Sequence, residues 1–175
     1  MNSDEQLRYP IGKQKSEESY TLDQVKANIK RIEAIPAQFE KIAGTLSAQQ
    51  LNTPYREGGW TARQVLHHVP DSHLNAYIRI KWALTEETPT IKAYDEKAWA
   101  DTYETQADPS ISIALLKALH AKWVVLLNDL SEKDLERKFF HPDSKKYIRL
   151  DQAIATYAWH GEHHLGHLKI VAGKL

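Results

Sequence analysis

The fold class is decided near the end of the chain by the stretch DQAIATYAWHGEHHLGHLKIVAG, residues 151–173. With about 100° of rotation per residue in an α-helix, its less polar positions form one arc, centred on Ile154, Tyr157, Gly161, Leu165 and Leu168. A helix with one such arc buries it against neighbouring elements. The stretch therefore predicts a bundle helix that begins near Asp151 and ends before Gly173.

Three earlier stretches have the same helical spacing, and the second and third have recognisable start signals. They span residues 21–46, 62–84 and 108–130. Thr61 is followed three residues later by Gln64, which is typical of a capping box, and Asp108 precedes a proline suited to the first helical position. Pro36 and Pro70 fall inside the first two stretches, where we expect a kink or a break.

The remaining segments are short or irregular. Residues 1–20 are polar and predict an N-terminal arm without a helix, and residues 21–175 predict a single four-helix-bundle domain. Residues 138–149 predict a hairpin, and residues 95–100 predict a short helix near Tyr94 and Trp99, in an aromatic loop that can cover a pocket. Four long amphipathic helices and few strand candidates indicate an all-α protein.

Composition excludes several classes of function. The 175 residues include 23 basic and 23 acidic side chains, so no net charge attracts nucleic acid or anionic lipid. The absence of cysteine excludes disulfides, thiolate ligands and a cysteine nucleophile. The first residues lack a signal-peptide pattern, and no apolar run approaches the roughly 18 residues of a membrane span. We therefore expect a cytoplasmic protein with no nucleic-acid or membrane partner.

Six of the nine histidines form two groups, one on each of two predicted helices. In the last helix, His160, His164 and His167 lie along one edge of the apolar arc, whereas His163 lies outside it and should face solvent. His160 and His164 are four residues apart, so their imidazoles project side by side. That spacing lets two ring nitrogens reach one ion at about 2.0–2.1 Å.

His67 and His68 are adjacent in the second long helix, and their side chains point about 100° apart. Only one can face the same interior as His160 and His164, and we assign it to His68, which continues the face of Val65 and Ser72. Taken alone, a histidine pair four residues apart is more often surface or bundle-edge chemistry. The third histidine on another helix and the small Gly161 favour a metal site with the ligands His68, His160 and His164.

Other polar residues near these positions have simpler interpretations. His73, His120 and His141 are expected to be surface groups or satisfied core groups. Asp71 lies about one turn from His68 and could orient an imidazole, although an exposed helical carboxylate is the simpler interpretation.

Two motifs, GGWTARQVLHHVPDSH at residues 58–73 and WHGEHHLGH at residues 159–167, resemble those of the DinB-like superfamily and, within it, the YfiT-like metal-dependent hydrolases. The resemblance extends over nearly the whole chain. It implies a DinB-like four-helix bundle with one divalent metal ion per chain, zinc or nickel, between the second and last long helices. The positions that match the family's ligands are His68, His160 and His164. Family members usually have alanine at the position of Pro70.

Three protein ligands leave a coordination position open, which is typical of catalytic metal sites. The resemblance implies a hydrolase that uses a metal-activated water. The alternative is an S-transferase that joins a low-molecular-weight thiol such as bacillithiol to an electrophile, with the thiol supplied by a cofactor because the chain has no cysteine. A third hypothesis is a non-catalytic metal-binding or ligand-binding module. We further expect a small-molecule substrate and a homodimer.

Overall fold

The computed structural model describes residues 4–174 and confirms an all-α protein built on four long helices. The helices are α1 (Asp4–Arg8), α2 (Leu22–Ala43), α3 (Ala48–Leu51), α4 (Ala62–Thr85), α5 (Glu96–Ala100), α6 (Ser110–Asn128), α7 (Glu132–Leu135) and α8 (Leu150–Val171). A short 3-10 helix spans Tyr103–Gln106, and the strands are β1 (Lys138–His141) and β2 (Lys146–Arg149). Helices α2 and α4 each pack against both α6 and α8, which completes the four-helix bundle.

Threonine capping boxes begin α2 and α4. Thr61 Oγ1 accepts the backbone N–H of Gln64 at 3.2 Å, and the Gln64 side chain accepts the backbone N–H of Thr61 at 3.0 Å. This reciprocal pair satisfies two donors that the first turn of α4 leaves free, as the sequence predicts. Helix α6 begins one residue later than predicted, because Pro109 occupies the cap position and the Asp108 carboxylate accepts the N–H of Ser110 at 2.8 Å.

Both internal prolines lie within continuous helices. Pro36 is inside α2 and Pro70 is inside α4, and both are buried. A proline removes one backbone donor from the ladder, but packing of the helix against its neighbours on both sides of the proline maintains the helical path. The break that the sequence allowed is therefore absent, and α4 carries His68 and Arg79 on one element.

Close packing at Gly161 brings α2 against α8. A Cβ atom at this position would overlap the Ile35 side chain of α2. Ile35 belongs to a buried cluster with Phe39, Val65 and Leu168. A second buried cluster surrounds Trp123 and is completed by Ile32, Ile80, Leu127 and Ile154, among others. The prediction that Gly161 permits the close approach of another helix is confirmed.

The residues before α2 run along α8. The Trp159 indole donates to the Gly12 carbonyl at 3.2 Å, and Gln14 Nε2 donates to Thr156 Oγ1 at 2.7 Å. Pro10 packs against Gly166 of α8. The prediction that this region has no helix is wrong for Asp4–Arg8, because acidic residues in the first turn of α1 and a basic residue in its last turn complement the helix dipole.

The connections around the bundle have the predicted structure. Strand β1 pairs antiparallel with β2, so that Lys138 lies opposite Arg149 and His141 lies opposite Lys146. The predicted short helix is α5, whose first turn is capped by the Asp95 carboxylate.

Helix α6 alone among the described helices is long and apolar enough, by length and composition, to cross a membrane. The expectation that no stretch approaches such a span is therefore wrong, because Lys117, His120 and Lys122 interrupt the apolar sequence of α6 only briefly. One face of α6 lies inside the bundle, where Leu116 and Trp123 are buried against α2 and α4. Length and composition do not separate a membrane span from such a core helix.

Candidate metal centre

The three histidines selected from the sequence meet between α4 and α8. One ligand nitrogen from each of His68, His160 and His164 lies within 4.8 Å of the others. The Nε2 atoms of His68 and His160 are 3.3 Å apart. Two nitrogens bound to one tetrahedral ion at 2.0–2.1 Å are separated by about this distance, roughly 3.3 Å. The spacing therefore suits one small divalent cation held by all three side chains.

A chain of three histidines, here called the His73 relay, fixes the orientation of His160. His120 Nδ1 donates to the Ile32 carbonyl at 2.8 Å, because a carbonyl can only accept. The neutral His120 ring then accepts at Nε2 from His73 Nδ1, at 2.8 Å. His73 Nε2 is left as an acceptor, and His160 Nδ1 donates to it at 3.2 Å. His160 Nε2 therefore has no hydrogen and offers a lone pair.

A shorter chain, the His167 relay, acts on His164 in the same way. His167 Nε2 donates to the Arg8 carbonyl at 3.2 Å, so its Nδ1 atom is an acceptor. His164 Nδ1 lies 3.3 Å from that atom and donates to it. The Nε2 atom of His164 is consequently a free acceptor as well. Each relay ends on a backbone carbonyl, which fixes the tautomer of one predicted ligand.

The ring nitrogens of this arrangement are suited to bind a divalent cation. Neither His160 Nε2 nor His164 Nε2 carries a hydrogen, so each offers a lone pair. His68 Nε2 lies 3.3 Å from His160 Nε2. Metal-binding histidines usually donate their second ring N–H to a protein acceptor, which raises the basicity of the ligand nitrogen. The two relays provide such acceptors for His160 and His164.

Burial keeps these imidazoles neutral, which is the form that binds metal. The histidine cluster comprises His68, His73, His120, His160, His163, His164 and His167. Burial lowers the pKa of His68, His120 and His167 to about 4 and that of His163 to about 3. Burial, reinforced by the neighbouring histidines, holds the pKa of His73, His160 and His164 well below the ordinary value of 6.5.

His67, which precedes His68 in the sequence, points away from this centre. Its Nδ1 atom lies 2.8 Å from Ser112 Oγ, and its Nε2 atom lies 3.3 Å from the Ala107 carbonyl. Both histidines are 3% exposed, so burial alone does not distinguish them. The hydrogen bonds do, because those of His67 are to α6 and the segment preceding it, whereas the His68 ring faces His160 and His164.

The prediction that His163 faces solvent is wrong. Its side chain is 8% exposed and stacks on Trp159, with ring centroids 4.4 Å apart. Tyr9 lies on this side, 6.0 Å from the His163 ring, because residues 4–20 cover α8 where the helical arc alone leaves it open. Asp71 is partly buried, and burial, assisted by Glu104, raises its pKa to about 6. None of the hydrogen bonds of the described residues joins its carboxylate to an imidazole.

Two cavities flank the centre, and His160 lines both. One, of about 460 Å³, is bounded by Ser72, Arg79, Tyr94, His141 and Tyr157. The other, of about 360 Å³, is bounded by Arg8, Tyr55, Trp60, His163 and His164. The Trp60 ring covers His68 at 4.5 Å. Tyr94 of the aromatic loop lines the first of these cavities and packs against Trp99, with ring centroids 4.6 Å apart.

Comparison with known proteins establishes the family. The sequence profile of the DinB superfamily matches residues 31–168, which include all three predicted ligands. The chain belongs to the DinB superfamily. It is 48% identical over 163 residues to YfiT of Bacillus subtilis (strain 168), across 93% of this chain and 92% of that protein. A relative from Oceanobacillus iheyensis is 48% identical over 161 residues, across 92% of this chain and 93% of the relative. Both are named, provisionally, as metal-dependent hydrolases.

Solved structures confirm the fold of this DinB protein. A structure of YfiT from Bacillus subtilis matches with a TM-score of 0.94 and 46% identity, over 97% of each chain. It is described, also provisionally, as a metal-dependent hydrolase with an unusual four-helix bundle topology. The mycothiol-dependent maleylpyruvate isomerase matches with a TM-score of 0.61 and 14% identity, over 79% of this chain and 60% of that one, which shows a shared fold alone.

Sequence patterns did not identify the relay residues of this DinB protein. His73 and His120 were expected to be ordinary surface or core groups, and the core alternative is correct because both are buried. Their connection to His160 depends on which helices are neighbours. His167 gave a partial signal, because it shares the edge of the apolar arc with His160 and His164. His141 is partly buried and lines the larger of the two cavities beside the centre.

Proposed function

We propose that this protein is a metal-dependent hydrolase whose single divalent ion, zinc or nickel, is held by the Nε2 atoms of His68, His160 and His164. The observation that carries the proposal is the pair of relays, which leaves lone pairs at His160 and His164 within reach of His68. Three nitrogen donors and no thiolate suit zinc or nickel better than calcium or magnesium, which prefer oxygen.

A bound divalent ion with one open position supplies Lewis-acid chemistry and can lower the pKa of a bound water toward about 7. The chain provides the surroundings for that chemistry. Trp60 shields His68 from solvent, and the cavity of about 460 Å³ beside His160 is large enough for a small molecule. Hydrolysis adds water across an ester or amide bond and releases an acid and an alcohol or amine.

A thiol S-transferase is the second candidate, supported by the two cavities that meet at His160. A transferase has two substrates, a low-molecular-weight thiol such as bacillithiol and an electrophile, and each cavity could hold one of them. A free thiol has a pKa near 8.5 and is only slightly ionised at neutral pH. A dication favours the thiolate, which is the nucleophile in such a transfer.

The metal site is tested by elemental analysis of the purified protein and of variants in matched pairs. We expect one equivalent of zinc or nickel in the wild type. His68→Ala should lose it, whereas His67→Ala, which alters an equally buried neighbour bonded to Ser112, should keep it. His164→Ala and His163→Ala form the second pair. Loss of metal in the His67 and His163 variants with retention in their partners would overturn the ligand assignment.

The reaction is tested on protein loaded with one equivalent of metal. Ester and amide cleavage is compared with the consumption of bacillithiol in the presence of a model electrophile, with His160→Ala as the control. Cleavage that depends on His160 supports the hydrolase. Conjugation that depends on His160, without cleavage, favours the transferase. Full metal occupancy with neither activity would favour a non-catalytic binding module and contradict both proposals.

A further inference from the structure

Arg79 of α4 is a buried cation without a carboxylate partner. Its side chain is 7% exposed, and the ion pairs between described residues do not include it. Nη1 donates to Tyr157 Oη at 3.3 Å, the guanidinium lies 5.9 Å from the centre of the Tyr94 ring, and the buried Nε has no hydrogen-bond partner. An unpaired buried charge is costly. A group outside the chain can compensate it.

The guanidinium lines the cavity of about 460 Å³ that also reaches His160. Tyr157, which accepts its hydrogen bond, precedes His160 by three residues on α8. Residues three apart on a helix are neighbours, with Cβ atoms about 5–6 Å apart. A small molecule in this cavity can therefore contact Arg79 at one end and approach the metal centre at the other.

The rest of the cavity wall supplies neutral hydrogen-bonding groups. His141 Nδ1 is buried without a partner, and burial, followed by the charge of Arg79, lowers the pKa of His141. Burial raises the pKa of Tyr94 to about 12 and also raises that of Tyr157, so both remain neutral phenols. These groups can hydrogen-bond to an anion held by Arg79 without adding a second positive charge.

Acidic side chains on the same wall restrict the charge of the ligand. Asp95, Glu96 and Asp143 line the cavity, and the Asp95 carboxylate accepts the backbone N–H groups of Lys97 and Ala98. With the two cations Arg79 and Lys97 among three carboxylates, the cavity wall suits a monoanion better than the dianion of a phosphate monoester. A carboxylate also matches the planar fork of arginine donors.

We propose that Arg79 forms a carboxylate-binding subsite beside the metal centre. The substrate is then a small carboxylic acid whose reacting group lies roughly 5–6 Å from its carboxylate, the spacing of neighbouring residues on one face of α8. The substrate class rests on the proposed metal-dependent function, whereas the anion site itself depends only on Arg79 and the cavity. The two parts can therefore be tested separately.

The anion site is tested by titrating wild-type protein with propionate while recording the ¹⁵N NMR signal of the Arg79 Nε–H group, assigned by its loss in Arg79→Lys. Metal-free protein is used first, because propionate can also bind zinc. We expect a saturable shift in the millimolar range, consistent with one charged contact, and no shift with propionamide. An unchanged signal with propionate would overturn the subsite. Tighter binding of inorganic phosphate than of propionate would overturn the choice of carboxylate.

The substrate class is tested with two esters on metal-loaded protein, p-nitrophenyl hemisuccinate and the neutral p-nitrophenyl butyrate. Arg79→Gln should lower kcat/KM for the charged ester by about 10- to 100-fold and leave the neutral ester within about threefold. Arg79→Lys should recover part of the loss. Equal losses on both esters would assign Arg79 a structural role and contradict the proposal.

Two further outcomes keep the tests distinct. If the wild type cleaves neither ester, the hydrolase proposal fails, and the propionate titration still decides whether the anion site exists. If Arg79→Gln does not fold, the wild-type titration and the charge-preserving Arg79→Lys variant still test the subsite.

Discussion

The His73 relay should determine metal affinity although none of its members outside His160 is a predicted ligand. His73→Phe removes the acceptor for His160 Nδ1–H, which now lies 3.2 Å away, and also the donor to His120. The phenyl ring can keep the stacked contact with His120 and the edge contact with Trp123, so packing changes little. The main effect is on the orientation and tautomer of His160.

We expect His73→Phe to weaken zinc affinity by about 10- to 100-fold, or about 1.4–2.8 kcal/mol, the usual effect of removing the partner of a metal-binding histidine. It should also lower the free energy of unfolding, because two buried polar atoms lose their partners at about 1–3 kcal/mol each. Affinity is measured at neutral pH by competition with a chromophoric zinc chelator, and stability by urea denaturation of the metal-free protein.

Two further variants separate the relay from general packing. His67→Phe alters another buried histidine, which bonds to Ser112, and it should change zinc affinity less than about threefold. His73→Gln, whose side-chain oxygen can accept from His160, should recover part of the loss. The reasoning is refuted if folded His73→Phe binds zinc as tightly as the wild type, or if ¹⁵N NMR of the metal-free wild type finds the His160 hydrogen on Nε2.

Three other predictions concern pH, packing and assembly. The seven residues of the histidine cluster have a pKa below the ordinary 6.5, so the unfolded protein binds more protons than the folded protein below that pH, and acid favours unfolding. The raised pKa of Asp71 has the opposite effect, because below about pH 6 the folded protein binds one proton there that the unfolded protein does not. Each net proton taken up on unfolding lowers the free energy of unfolding by about 1.4 kcal/mol per pH unit. Metal-free protein should therefore lose most of its stability within about one unit below pH 6. A urea midpoint that does not change from pH 7 to pH 5 would contradict this. Gly161→Ala should cost about 1–3 kcal/mol and weaken zinc binding, because the new Cβ overlaps Ile35; an unchanged melting temperature contradicts it. The homodimer remains a prediction: Ile111 and Val125 are 57% and 73% exposed on one face of α6, and if that face forms the interface, I111E/V125E should sediment as a monomer where the wild type sediments as a dimer.

The helical periodicity of α4 and α8 predicts that the three proposed ligands lie close together, because a helix in a bundle buries its apolar face. The same reasoning failed for His163. Its position on α8 does not indicate that residues 4–20, about 150 positions earlier, lie over it and pack Pro10 on Gly166. A helical wheel describes one helix, and a covering segment from a distant part of the sequence changes which of its faces is buried.

The relays and Arg79 could not be predicted for a related reason. His120 acts on His160 through His73 only because α6 lies beside α4 and the Ile32 carbonyl of α2 faces it. Arg79 has an ordinary helical position, and its burial depends on the aromatic loop at Tyr94 and on the hairpin residue His141. Periodicity shows which residues of a helix share a face, whereas these contacts depend on which elements the bundle makes neighbours.

The most direct test of the central claim is a crystal structure of zinc-loaded protein with anomalous scattering data at the zinc edge. We expect one anomalous peak per chain, with the Nε2 atoms of His68, His160 and His164 at about 2.0–2.1 Å and the relay hydrogen bonds intact. A peak coordinated through Nδ1 of His160 or His164, or one centred on His163 or His73, would contradict it.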